Sequence, residues 1–247
     1  MQQSLTTVNR AICKARYAAR TRLPEWPALY LPYARARYGR VPNRLVRPDT
    51  EIVIEGFPRS GNTFAVCAFE LAQERPVRSA HHLHASAQVR EAVRLGVPVM
   101  LLVREPEDSA VSQILREPCI SPRQALGAWI RFYRRVAPLR DRVFVADFAR
   151  VSTDFGAVIR DFNSRFGTAY KEFDHTPENE ARCFALIEQQ SRRRFGDLQE
   201  RRVARPSEER LARKAEVAER LNDPALRPLR ERAGRLHRAL VPAGEAA

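Results

Sequence analysis

Gly56-Phe57-Pro58-Arg59-Ser60-Gly61-Asn62-Thr63 has the residue types and spacing of an anion cradle. It follows an apolar run and precedes a helical pattern, so backbone N–H groups and the positive end of a helix dipole would meet at one point. The spacing is that of G-x-x-x-x-G-K-[ST], except that Asn62 stands where the Lys belongs and the loop's cation is the earlier Arg59. That Lys reaches the β- and γ-phosphates of a nucleotide, so its absence argues against ordinary Mg-NTP hydrolysis. A plain strand–turn–helix with incidental glycines is the alternative.

Two further groups could do chemistry. Arg104-Glu105-Pro106-Glu107-Asp108-Ser109-Ala110-Val111-Ser112 begins 48 residues beyond Gly56. Arg104 ends an apolar run and can offer a charge-assisted fork. Ser112 can donate a hydroxyl from about two turns into the helix that Pro106 opens, with Glu107 and Asp108 suiting its first turn. A capped helix start would explain the same residues without chemistry. His81, His82 and His84 are three of the chain's five histidines. A neutral imidazole there could serve as a general base near physiological pH. A solvated loop is the bland reading, and a metal site lacks a neighbouring carboxylate or cysteine in sequence.

These groups need elements to hold them. Glu51–Glu55, Ser79–Leu83, Val97–Val103 and Arg142–Phe148 are expected strands; the run from Val97 suggests burial on both faces. Helices are expected over Asn62–Glu74, Ser86–Leu95 with Ser86 as N-cap, from Pro106, over Ser121–Ala137, over Thr153–Phe166 stopped by Gly167, and through most of the chain from Glu178. Pro24, Pro27, Pro32, Pro42 and Pro48 should break any long helix after Arg22. Trp26, Tyr30, Tyr33 and Tyr38 read either as an aromatic lid on the core or as part of a pocket. Strands alternating with helices imply a parallel sheet covered on both sides. The expected fold class is α/β, a P-loop NTPase-like three-layer α/β/α arrangement with a parallel sheet and a helical C-terminal region.

Pro58-Arg59-Ser60-Gly61-Asn62-Thr63-Phe64 resembles the P-[KR]-S-G-[TN]-[TS]-[WF] loop of cytosolic-type sulfotransferases. Those enzymes use 3′-phosphoadenosine 5′-phosphosulfate (PAPS) and release 3′,5′-adenosine bisphosphate. The resemblance implies that Arg59, Ser60, Gly61, Asn62 and Thr63 hold the 5′-phosphosulfate. Arg104 to Ser112 is similar to the family's R-[ND]-P-x-D-x-x-x-S stretch, which implies that Arg104 and Ser112 hold the 3′-phosphate; Glu105 replaces the usual Asn or Asp. His82-Leu83 is like the family's H-L, 22 residues before Arg104, which implies His82 as the base that deprotonates an acceptor hydroxyl, with His84 second. Ala80 stands where the family carries Lys. The family's late R-K-G-x-x-G-x-W segment has no match; Arg201, Arg202, Arg205 or Arg210 would stand in, Arg205 foremost. No metal is required by this scheme.

The resemblance covers residues 51–170, the expected nucleotide-binding core of one domain spanning 1–247, with a basic extension at 1–50 and a helical part at 171–247. The 247-residue chain carries a net charge of +14, and all of the excess lies in the flanks: +8 in residues 1–50, 0 in 51–190 and +6 in 191–247. Lys14, Lys171 and Lys214 are its only lysines. At 44% hydrophobic it can build a core, which excludes a disordered chain. No apolar run approaches the ~18 residues of a membrane span, and Met1–Arg20 lacks the apolar region of a secretory signal. Cys13, Cys67, Cys119 and Cys183 form no C-x-x-C, suggesting neither zinc site nor disulfide, and a reducing cytoplasm is expected. The acceptor would be a small molecule, lipid or glycan. Basic flanks allow peripheral membrane contact; no RNA-binding strand, zinc finger or recognition helix points to nucleic acid. A P-loop kinase or nucleotide-binding regulator without the Walker lysine, and a basic adaptor for nucleic acid or membrane, are the competing functions.

Overall fold

Successive side chains of a strand point to opposite faces, and here both faces are apolar. Val99, Leu101 and Val103 join one core cluster, while Met100 and Leu102 join another. A sheet buried in this way needs helices on each side. The computed structural model, which describes residues 7–196 and 208–241, has that arrangement. β1 (Ile52–Gly56), β2 (Ser79–His81), β3 (Val99–Val103) and β4 (Phe144–Asp147) pair in the order β2-β1-β3-β4, all parallel.

One face is covered by α3 (Asn62–Ala72), α8 (Phe155–Phe166) and α9 (Pro177–Phe195), through Phe64, Phe69, Phe155, Phe162 and Cys183. The other is covered by α4 (Ser86–Leu95), α5 (Pro106–Arg116), α6 (Pro122–Val136) and α11 (Arg227–Leu240), through Val89, Ile114, Trp129, Tyr133 and Leu240. The short α7 (Phe148–Thr153) follows β4, and α10 (Glu208–Glu219) packs on α5. This is a three-layer α/β/α fold. From β1 the chain moves outward to β2 and then crosses back to β3, so β1 and β3 flank the point where strand order reverses. The loops leaving their carboxyl ends lie side by side there, the usual place for a ligand in an open α/β sheet.

The N-terminal fifty residues are more regular than their prolines suggest. α1 (Thr7–Arg22) ends where expected, but after a 3₁₀ turn over Leu23–Glu25 the chain is helical again in α2 (Pro27–Tyr38), with Pro32 inside it. Packing overrides propensity, since Tyr30 and Ala34 are buried and α2 lies against α4. Ser86 is not the cap of α4. Ala85 holds that position, and the Ser86 hydroxyl donates instead to Pro24 O at 2.9 Å, tethering the turn between α1 and α2. The expected helix over Thr153–Phe166 begins two residues later, because the Asp154 carboxylate accepts from Ala157 N at 3.0 Å and caps it.

Cys13 and Cys119 form a disulfide, contrary to the expectation of unpaired thiols. They lie 106 residues apart, and only the laying of α1 across α6 brings them together. The cysteine argument for a reducing compartment therefore falls away. Cys67 and Cys183 remain as buried free thiols. Among the described residues no helix is long and apolar enough to cross a membrane.

Closing so long a loop is expected to stabilise the chain by about 2–4 kcal/mol. Urea titrations of the wild type and of Cys13→Ser, each with and without reducing agent, measure this. A loss seen in the wild type alone on reduction is the expected outcome.

Candidate functional site

The loop between β1 and α3 leaves the first turn of α3 without a capping side chain. Gly61 has φ +83°, a conformation glycine tolerates, and a Cβ there would lie 3.0 Å from the Phe148 ring. Arg59 also has a positive φ, +75°, an uncommon state for a side-chain-bearing residue. Asn62 does not point outward. Its amide donates to Phe57 O at 3.0 Å and closes the loop, leaving its Oδ1 buried without a partner. α3 thus opens at Gly61 with no side-chain cap, and its first amides keep their anion-binding capacity. Ser60 is fully buried beneath the loop, Oγ 3.3 Å from Tyr133 Oη. Tyr133 also accepts from Phe57 N at 3.3 Å and donates to Leu102 O at 2.7 Å, which bolts the loop to β3.

The second loop meets the first directly. Arg59 Nε donates to Ser112 Oγ at 2.9 Å, and Arg104 Nη1 donates to Arg59 O at 3.2 Å. The Arg104 guanidinium lies 4.2 Å over the Phe148 ring, and its Nε is buried with no partner. Burial lowers its pKa from the ordinary arginine value, opposed by Asp108, 3.7 Å away. Lys214, from α10, reaches Asp108 at 3.0 Å. An arginine held this way has a hydrogen-bonding edge in reserve for an incoming anion.

The histidines occupy a strained turn at the end of β2. His82 and His84 have φ of +62° and +52°. Between them, Leu83 N donates to Glu55 Oε1 at 2.7 Å, and the His84 amide also binds this carboxyl group. Gln88 Nε2 adds a contact at 3.3 Å. His82 Nε2 lies 3.3 Å from Thr63 Oγ1, and His82 Nδ1 lies 2.6 Å from His81 Nδ1. One proton serves that last contact. Glu70 lies 3.7 Å from His81 Nε2, and in the tautomer with the shared proton on His82 Nδ1, His82 Nε2 keeps its lone pair. His84 donates from Nδ1 to Gly56 O at 2.9 Å. Desolvation pushes its pKa down to about 4, so it is neutral above that pH.

One cleft of about 1510 Å³ is lined by Arg59, Gly61, Asn62, Thr63, His82, His84, Arg104, Ser112 and Lys214 together. His81 and Ser60 do not line it. Arg201, Arg202 and Arg205 lie outside the described residues, and Arg210 falls within α10. Tyr30, Tyr33 and Tyr38 line the cleft while Trp26 does not, so the aromatic segment is pocket wall as well as lid. Sequence reasoning missed Lys214, whose signal was its rarity in an arginine-rich chain, and Glu55, which carries no motif. Among the described residues no group of three or more His, Cys, Asp or Glu is placed to hold a metal ion.

Glu55 and His84 give opposite pH dependences. Burial raises the Glu55 carboxyl to about 8, so the folded state binds more protons than the unfolded one from about pH 4.5 to 8, and stability falls with rising pH. The lowered His84 makes stability rise from about pH 4 to 6.5. The two offset each other below pH 6.5. Between pH 6.5 and 8 His84 no longer offsets Glu55, whose contribution to stability should fall by up to ~1.4 kcal/mol per pH unit. Glu55→Gln should abolish that fall, measured by urea unfolding across this range; an unchanged slope refutes the assignment.

No family model matches the sequence, and no curated protein matches it. Among solved structures, mouse sulfotransferase SULT7A1 complexed with PAP is similar at 15% identity, over 77% of this chain and 90% of that one, with a TM-score of 0.41. At that identity and TM-score the match says nothing of what this chain binds.

Proposed function

We propose that the chain is a PAPS-dependent sulfotransferase that moves a sulfuryl group to an acceptor hydroxyl or amine. The observation that carries the reading is the contact of the two anion-binding loops: Arg59 on Ser112, and Arg104 on Arg59 O, at the β1/β3 switch point. A nucleotide bearing phosphate at two ends needs two such elements in reach of one another. The residues present suit it, since Arg104 Nε is buried and unpartnered and the cradle at Gly61 would be narrowed by a Cβ.

When bound, the donor supplies the sulfuryl group and departs as 3′,5′-adenosine bisphosphate. Arg59 and the first amides of α3 would hold the phosphosulfate end and meet the charge that develops there, usually the largest electrostatic contribution. Arg104 and Ser112 would hold the 3′-phosphate, with Lys214 beside them. His82 Nε2, in the tautomer with its proton on Nδ1, would take the proton of the attacking hydroxyl. His84 is spent on Gly56 O through Nδ1 and serves as the second candidate through Nε2.

Calorimetry tests the donor site. 3′,5′-adenosine bisphosphate should bind without Mg²⁺ and more tightly than AMP or ATP. Arg104→Ala should weaken the bisphosphate by roughly 10- to 100-fold, the worth of a charged hydrogen bond, and AMP much less. Equal affinity for AMP and the bisphosphate defeats the reading, and Mg²⁺-dependent ATP binding would favour the kinase-like alternative. With labelled PAPS, His82→Ala should lower turnover by roughly 100-fold or more while leaving bisphosphate affinity in place. Full turnover in that variant removes His82 from the role.

A further inference from the structure

A second set of residues lining the cleft has a character of its own. It is a wall drawn from the two N-terminal helices and the end of α5, which contribute Arg16, Arg20, Arg37 and Arg116, with Arg44 from the following segment. The carboxylates of the cleft are Asp108, which Arg104 and Lys214 engage, Glu117 and Glu180. Glu117 is engaged by Arg20 through contacts of 2.7 and 3.0 Å. The balance is cationic. The field reaches the floor, where Arg44, Arg20 and Arg116 each disfavour the charged form of His84.

This wall is also aromatic. Tyr30 and Tyr33 sit with ring centres 6.2 Å apart, and the Arg37 guanidinium lies 5.3 Å from the centre of the Tyr38 ring. Flat rings beside guanidinium groups suit a planar or cyclic body bearing an oxyanion. A donor's own charges would be met by Arg59, Arg104 and Lys214. The remaining arginines are more than a neutral acceptor needs, and they would repel a cationic one. The cleft's volume leaves room for a second ring-sized molecule beside a nucleotide.

We propose, on the sulfotransferase reading above, that the acceptor is an anionic hydroxy compound: a ring-bearing alcohol or phenol that carries a carboxylate or sulfate-type group, its ring against Tyr30, Tyr33 and Tyr38 and its anion among Arg16, Arg37, Arg44 and Arg116. The basic N-terminal segment is then acceptor-binding wall, folded onto the body, and its charge selects substrate.

Binding to the full-length protein saturated with 3′,5′-adenosine bisphosphate tests this, because the bisphosphate fills the donor site and its own binding reports on the donor reading. Calorimetry would compare 3-(4-hydroxyphenyl)propanoate with its amide, tyramine as the cationic analogue, D-glucuronate with D-glucuronamide, and 4-hydroxybenzenesulfonate as the sulfate-type arm. In at least one pair the acid should bind about tenfold or more tightly than the amide, with tyramine weakest. Tighter binding of the sulfonate than of the carboxylates assigns a sulfated acceptor; the reverse assigns a carboxylated one. The double variant Arg16→Gln/Arg37→Gln should bring the acid-to-amide ratio toward one, with bisphosphate affinity reporting that the fold is intact. Equal binding of acid and amide in both pairs, or no binding of any anion, with the bisphosphate bound, overturns the anionic acceptor and leaves the donor reading standing. Failure of the bisphosphate itself to bind overturns both.

Discussion

The candidate site depends on one short chain of contacts: Arg104 to the carbonyl of Arg59, and Arg59 to the hydroxyl of Ser112. It joins the loop after β1 to the loop after β3, which no secondary-structure ladder does. The conformation of Arg59 makes it possible. In the left-handed region its carbonyl and side chain diverge, so one residue can accept from one member of the second loop and donate to another. Beneath it, Tyr133 holds the loop against β3, and the buried Ser60 and Asn62 side chains fill the space that would otherwise let it sag.

The histidine turn is a second rigid body fixed to the same strand. Glu55, adjacent to Gly56 on β1, receives the amides that follow His82, and Gly56 O receives His84. The loop after β1 and the imidazoles are therefore referenced to two neighbouring residues of one central strand. Arg44 Nη1 donates to His82 O at 3.2 Å and ties the N-terminal segment into the same unit. Left-handed backbone at His82 and His84 costs energy that these hydrogen bonds offset, as is common where side chains are held for chemistry.

Much of this was legible in the residues. The strand–loop–helix at Gly56, the helix opened by Pro106 and the buried β3 follow from local patterns: a continuous apolar run, a proline at a first helical position and glycines at a turn. What was not legible depends on distance in sequence. The Cys13–Cys119 bond and the insertion of Lys214 beside Asp108 arise from helices laid across the body, for which no spacing rule exists. Pro32 within α2 and the tethering hydroxyl of Ser86 were misread because packing between the N-terminal segment and α4 outweighs what each residue prefers alone. Glu55 read as one polar residue at the end of an apolar strand, and nothing local marks a carboxyl group that organises a turn twenty-eight positions on.

Asp108 has a consequence of its own. It sits between Arg104 and Lys214 and acts as their resident counterion. Any anion entering that corner competes with a carboxylate already ion-paired with both cations. A singly charged visitor trades like for like; a doubly charged one leaves the exchange ahead. On the proposed function, the corner would therefore favour a doubly ionised terminal group over a singly ionised one.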